Sequence, residues 1–279
     1  MLKLLEWSRD FFAGRGIESP RLDAELLLAH VLGVSRVRLY MEFDRPLTPP
    51  ELEAYRALVK RRASFEPVAY IVGTRGFWTL DLKTDSRALI PRPDTEVLVE
   101  EVVKRLPKEG PATLVDIGTG TGAIALAVAS ERPDLRVLAT DASADALALA
   151  GENAAALELA VELFEGDLLS AVPADVTPDY IASNPPYVAE TAREAMQADV
   201  REFEPAAALF AGSDGFDVLA RLIPAAFERL APGGWLSVEI GFDQGPRTVE
   251  SFEEAGFGEV ALRKDYGQND RVVSGRKGG

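Results

Sequence analysis

Asp116-Ile117-Gly118-Thr119-Gly120-Thr121-Gly122-Ala123 joins a strand-like run, Thr113–Ile117, to a helical run, Ala123–Arg132. Glycines let the backbone turn sharply and let a ligand come close where a Cβ would clash. The first N–H groups of the helix lack partners within it and face whatever sits above. Working outward from Ala112, strands and helices alternate. Arg136–Thr140, Val161–Phe164, Tyr180–Ser183 and Trp235–Ile240 are strand-like, with Glu259–Arg263 and Arg271–Ser274 as a final pair. Ala144–Leu157 and Phe216–Leu230 are helical. That alternation predicts an α/β fold, a mostly parallel, doubly wound sheet with helices on both faces.

Ligands of such sheets bind beyond the carboxyl ends of the strands, so the residues at those ends carry the functional reading. Gly118, Thr119, Gly120, Thr121 and Gly122 follow the first strand. Asp141 ends the second, where a carboxylate can accept both hydroxyls of a ribose. Asp167 and Leu168 follow the third, an acid for an exocyclic amine and an apolar wall for a ring. Each acid has an alternative as a helix cap. A glycine loop followed by a ribose acid serves dinucleotide and S-adenosylmethionine sites alike, and the spacing G-x-G-x-G leans away from NAD.

Asn184-Pro185-Pro186-Tyr187 ends the fourth strand. Two prolines have no N–H and a fixed φ, so the segment offers carbonyl acceptors in a stiff shape. Asn184 adds a side-chain acceptor, with its NH2 left to bond locally. Tyr187 adds a flat wall with a polar tip. The pocket so built accepts a planar group with two N–H donors and rejects a carboxylate. An ordinary strand-to-loop turn is the bland alternative, and it weakens once three other ligand loops converge on the same sheet edge.

Residues 1–74 are expected to form a helical bundle. Ser19-Pro20, Ser35 and Thr48-Pro49-Pro50-Glu51 read as helix starts, and Gly14, Gly16 and Gly33 as stops. Residues 75–88 read as a linker with a β-hairpin, and 89–279 as the α/β domain. Asp94 or Thr95 is expected to cap a helix running to Leu106. Arg92, held between two prolines, is open to a salt bridge or a site role, as Phe77 is open to core or site.

The 279 residues include no cysteine and one histidine. Disulfides, zinc–thiolate sites and cysteine nucleophiles are thereby excluded, and no metal site is expected. His30, in an apolar helical run, reads as a packed or half-buried helix residue rather than a base. The charged start does not read as a signal peptide, and no apolar run approaches the ~18 residues of a membrane span. A cytoplasmic monomer is expected. The net charge of −15 is uneven: residues 1–75 carry 12 Lys/Arg and 10 Asp/Glu, the remainder 18 and 35. Nucleic-acid binders show a basic stripe, so direct nucleic-acid binding is not expected. Arg36, Arg38, Arg45, Lys60, Arg61 and Arg62 are the candidate docking cations of the first domain.

With these residues in place, the chain resembles the HemK/PrmC family, the N5-glutamine methyltransferases of class 1 peptide-chain release factors. The resemblance spans essentially the whole length. It rests on Glu66-Pro67-Val68-Ala69-Tyr70-Ile71-Val72-Gly73, Phe77-Trp78, Ile90–Glu96, Asp116–Gly122 and Ser183–Tyr187. Arg201–Pro205, Phe210-Ala211-Gly212, Pro232-Gly233-Gly234 and Glu239-Ile240-Gly241 extend it. Asp94-Thr95 stands where family members often have Glu-Thr. The resemblance implies a seven-stranded class I S-adenosylmethionine-dependent methyltransferase whose helical N-terminal domain helps dock a release factor. It implies S-adenosylmethionine as cofactor, S-adenosylhomocysteine as product, and transfer to a glutamine held by Asn184 and Pro185 between Pro186 and Tyr187. Asn-Pro-Pro-Tyr also occurs in enzymes that methylate adenine N6 or cytosine N4 on a flipped base, a rival that the acidic second part disfavours. A nicotinamide-dependent oxidoreductase leaves 184–187 without a role. A non-catalytic binding module is the remaining rival.

Overall fold

The apolar stripes near the N-terminus fold onto one another. The computed structural model describes residues 1–42, 44–108 and 110–279, and its first compact unit is Met1–Thr74 with Gln197–Phe203. It holds α1 (Leu2–Ala13), α2 (Pro20–Leu32), α3 (Arg36–Met41), α4 (Pro49–Ala63) and α5 (Val68–Val72). Phe12, Leu27, Leu28, Leu39 and Tyr55 form its buried centre. Gly33 ends α2 at φ 63°, the left-handed conformation that glycine adopts without Cβ strain. The Thr48 N–H donates to Glu51 Oε2 at 2.7 Å, closing the capping box of α4. Ser19 and Ser35 occupy N-cap positions without a side-chain capping bond. His30, expected to be packed or half-buried, is exposed in the last turn of α2, because the buried side of that helix runs through Ala24, Leu27 and Leu28.

Arg62 is buried and donates to Asp23 Oδ2 at 2.7 Å and to Asp199 Oδ2 at 3.2 Å. Gln197–Phe203, inside the stretch 89–279 expected to be the α/β domain, groups with residues 1–74. Nothing local in the sequence marks this, because the ion pair spans 137 positions. The candidate docking cations are also engaged within their own unit. Arg36 pairs with Glu25, Arg38 with Glu42, Arg45 with Glu51 and Arg61 with Glu66. Of these, the exposed Arg38–Glu42 pair contributes roughly 0–1 kcal/mol and can open for a partner, while Arg36 pairs with a buried carboxylate.

The second unit, Arg75–Met196 with Glu204–Gly279, opens on the hairpin β1 (Thr74–Phe77) and β2 (Leu80–Lys83). It continues through α6 (Glu96–Arg105), β3 (Thr113–Ile117), α7 (Ala123–Glu131), β4 (Arg136–Asp141), α8 (Ala144–Ala156), β5 (Glu162–Glu165) and β6 (Tyr180–Ser183). After α9 (Ala198–Phe203), which lies in the first unit, come α10 (Asp217–Arg229), β7 (Trp235–Glu239), α11 (Gly245–Ala255), β8 (Gly258–Lys264) and β9 (Asp270–Arg276). Among the described residues the main sheet has seven strands in the order β5-β4-β3-β6-β7-β9-β8, parallel except for the β7–β9 and β8–β9 pairs.

Successive strand residues point to opposite faces. Leu114, Val137, Ala139, Tyr180 and Ala182 pack with α6 and α7 on one side, and Val115, Leu138, Ile181, Leu236 and Val238 with α10 on the other. A sheet apolar on both faces needs helices on both. Phe77 belongs to the first of these cores. Asp94 and Thr95 form a short 3-10 turn ahead of α6, and Thr95 holds the N-cap position without capping through its side chain.

Candidate active site

The sheet order reverses between β3 and β6, which opens a crevice at the carboxyl ends of the strands. The register decides which residues meet there. Ile117 pairs with Thr140 and with Ser183, and Ser183 with Val238. The next residues, Gly118, Asp141, Asn184 and Glu239, therefore stand abreast at the sheet edge. Ser183 Oγ donates to the Ile117 carbonyl at 2.7 Å and ties the two central strands together just below that row.

A cavity of about 370 Å³ opens over it, lined by Gly118, Thr119, Gly120, Thr121, Asp141, Asp167, Leu168, Asn184 and Pro186. Gly118 has φ 70° and open space where a Cβ would stand, so its backbone is bare toward a ligand. Gly122 has another task. A Cβ there would meet Leu126 at 2.9 Å and Ala150 at 3.3 Å, so it lets α7 pack closely. Asp116 braces the loop from below: its Oδ2 accepts from Thr119 Oγ1 at 2.6 Å and the Ala125 N–H at 3.2 Å. Burial pushes its carboxyl up to about 7.

Asp141 accepts the Gly120 N–H at 2.9 Å on one oxygen and the Ser143 N–H at 2.9 Å on the other. The cap of α8 is Ser143, whose Oγ accepts from Ala146. A carboxylate has about four lone-pair sites, so Asp141 keeps capacity for hydroxyls after anchoring the loop. Asp167 is ion-paired with Arg221 of α10 while lining the cavity. Leu168 carries φ 49°, turning the chain sharply at the cavity wall.

In the tetrapeptide, Asn184 Nδ2 donates to Thr95 Oγ1 at 3.2 Å, leaving Oδ1 as the acceptor on offer. Pro185 is buried, and among the described residues no hydrogen bond takes its carbonyl. Tyr187 is half-buried and outside the cavity lining. Its hydroxyl donates to Glu239 Oε1 at 3.1 Å, and its carbonyl accepts from Gln244 Nε2 at 3.2 Å. Burial, then the Glu239 charge, pushes its phenol up. The expected sandwich by Pro186 and Tyr187 therefore differs here, since only Pro186 lines the cavity.

Arg92 does both things left open for it. It lines the cavity and pairs with the buried Glu204 at 2.6 Å, while Glu204 Oε2 accepts the Ile90 N–H at 3.2 Å. Arg87, Ala88, Leu89 and Pro91 complete the wall from a stretch the sequence reading treated partly as linker. Its only signal was the proline spacing.

Residues 3–73 match the PrmC N-terminal domain and residues 93–210 the Methyltransferase small domain. The release factor glutamine methyltransferase of Geobacter sulfurreducens is 46% identical over 276 residues, covering 99% of this chain and 96% of that protein. The chain belongs to the release factor glutamine methyltransferase family. The Escherichia coli K12 release factor glutamine methyltransferase is 43% identical over 260 residues, 93% of each chain. Two solved structures share the fold. One is a methyltransferase from Pyrococcus furiosus, with TM-score 0.53, 19% identity, and 80% and 98% of the chains covered. The other is the T. thermophilus 16S rRNA N2 G1207 methyltransferase, with TM-score 0.53, 21% identity, and 73% and 49% covered.

S-adenosylmethionine is the cofactor of the release factor glutamine methyltransferase family. The bare backbone at Gly118, the hydroxyl-accepting capacity of Asp141 and the apolar edge of Leu168 fit it.

Proposed function

We propose that this chain transfers a methyl group from S-adenosylmethionine to the side-chain amide nitrogen of a glutamine presented by a class 1 release factor. The observation that carries this reading is the uncommitted acceptor Asn184 Oδ1 on the wall of a glycine-loop cavity that ends in Asp141, with the carbonyl of the buried Pro185 next to it in the chain. Gly118–Thr121, Asp141, Asp167 and Leu168 hold the cofactor. When bound, S-adenosylmethionine supplies an electrophilic methyl group on its sulfonium.

An amide nitrogen is a poor nucleophile because its lone pair is delocalised into the carbonyl. Acceptors on both of its N–H bonds draw electron density onto nitrogen and aim it, a positioning effect. As the N–C bond forms and the S–C bond breaks, the nitrogen releases one of its two protons to solvent along its hydrogen bond. The acceptors are fixed before substrate arrives, so they cost no reorganisation during transfer. The same Asn-Pro pair suits a flipped base, but the acidic second part disfavours nucleic acid. Incubation with labelled S-adenosylmethionine tests the choice. Label on a release-factor glutamine, mapped by mass spectrometry, and none on duplex or single-stranded DNA supports the reading; label on DNA alone overturns it.

Asp141→Ala is expected to weaken S-adenosylmethionine binding by roughly 1.5–3 kcal/mol through lost charge-assisted hydrogen bonds. Isothermal titration measures this directly. Unchanged affinity would reduce Asp141 to an anchor for Gly120 and Ser143.

A further inference from the structure

Glu239 is 1% exposed, and among the described residues its Oε2 has no hydrogen-bond partner of good geometry. A buried carboxylate is costly unless it is bonded, so its retention at the sheet edge calls for a task. It stands abreast of Asn184, one residue past the Ser183–Val238 pair of β6 and β7. Its Oε1 accepts from the Tyr187 hydroxyl at 3.1 Å. The Thr95 hydroxyl stands next to the same carboxylate and helps to hold its pKa down. Thr95 Oγ1 already accepts from Asn184 Nδ2, so its proton is free to be given, and the orphaned Oε2 is an acceptor without a donor.

We propose, resting on the methyl-transfer reading above, that Glu239 is a positioning residue that sets the orientation of the Asn184 amide through Thr95 and of the Tyr187 ring through its hydroxyl. A carboxylate can only accept. It therefore obliges Thr95 to donate toward it and to accept from Asn184 Nδ2, which leaves Asn184 Oδ1 for the substrate N–H. A protonated Glu239 reverses the chain. It donates to Thr95, Thr95 then donates to Asn184, and the amide turns its NH2 toward the substrate, where two donors meet. No acid–base step in the transfer is assigned to Glu239.

The surroundings decide where that reversal occurs. Burial raises the carboxyl to about 7, opposed by the Thr95 hydroxyl, by Arg271 on β9 and by the Tyr187 hydroxyl; Asp94 raises it further. Arg271 is itself held by Asp265 at 3.0 Å and by Asp94 at 3.5 Å. Turnover on the glutamine substrate is then present above about pH 7 and falls as the pH drops through that value.

The test uses the full-length chain with labelled S-adenosylmethionine and the release-factor substrate. Glu239→Gln offers one acceptor and one donor in place of two acceptors, so kcat should fall roughly 10- to 10²-fold by misplacement of the amide. KM for S-adenosylmethionine should not move, and the acid limb of the kcat profile should disappear. Thr95→Val should lower kcat as much, and Thr95→Ser, which keeps the hydroxyl, should restore most of it. This pair decides the matter even where the Gln variant is poorly folded. Wild-type kcat with an intact acid limb in Glu239→Gln overturns the proposal, as does a Ser variant as slow as the Val one. A wild-type chain that leaves glutamine unlabelled refutes the methyl-transfer reading instead.

Discussion

Asn184→Ala is expected to retain its fold and most of its cofactor affinity while losing about 10²–10³-fold in turnover, the effect of removing one preorganised polar group at a reacting centre. Asn184 supplies the side-chain amide oxygen of the tetrapeptide, and its Nδ2 is already committed to Thr95 at 3.2 Å. Truncation to alanine removes the side-chain acceptor proposed for one substrate N–H. The Pro185 carbonyl still binds the other N–H, so part of the positioning survives. The residues proposed to bind S-adenosylmethionine, Gly118–Thr121 and Asp141, are not touched by the substitution. Calorimetry should show near-normal affinity beside a collapsed rate. Near-normal turnover in this variant would refute the proposed role of the amide pocket.

Removal of residues 1–74 is expected to lower methylation of the intact release factor by orders of magnitude, and of a short glutamine peptide far less. Residues 1–75 are nearly neutral while the remainder of the chain carries a net −17. A domain without net repulsion is what an acidic protein partner requires for productive encounter. Arg38 sits in an exposed ion pair with Glu42, so it remains available to exchange partners at small cost, whereas Arg36 has its guanidinium at the surface but pairs with the buried Glu25. Truncation also strips Asp199 of Arg62, its partner in the same unit. Affinity for S-adenosylmethionine, measured on the same sample, controls for loss of the sheet unit. With cofactor affinity retained, equal losses on protein and peptide would mean that the helical unit does not dock the substrate.

The alternation of runs from Ala112 onward is local information, since strand and helix periods are properties of a dozen residues at a time. It placed the strands within one or two residues for β3 to β8, and with them Gly118, Asp141, Asp167 and Asn184 at strand ends. The amino-acid order alone thus determined the α/β class and the glycine loop, and marked Asp141 and Asn184-Pro185 as the candidate ribose acid and acceptor pair, because each depends on the chemistry of a short segment. Tertiary structure decided which of these segments share a cavity and what their spare atoms touch. Gly122 serves helix packing, Tyr187 turns to Glu239, Arg92 meets Glu204 across 112 positions, and Thr95 orients Asn184 across 89. Such contacts depend on strand order and register rather than on local period. A one-residue change of register would send every side chain of a strand to the opposite face, so only the folded sheet could bring Glu239 beside Asn184.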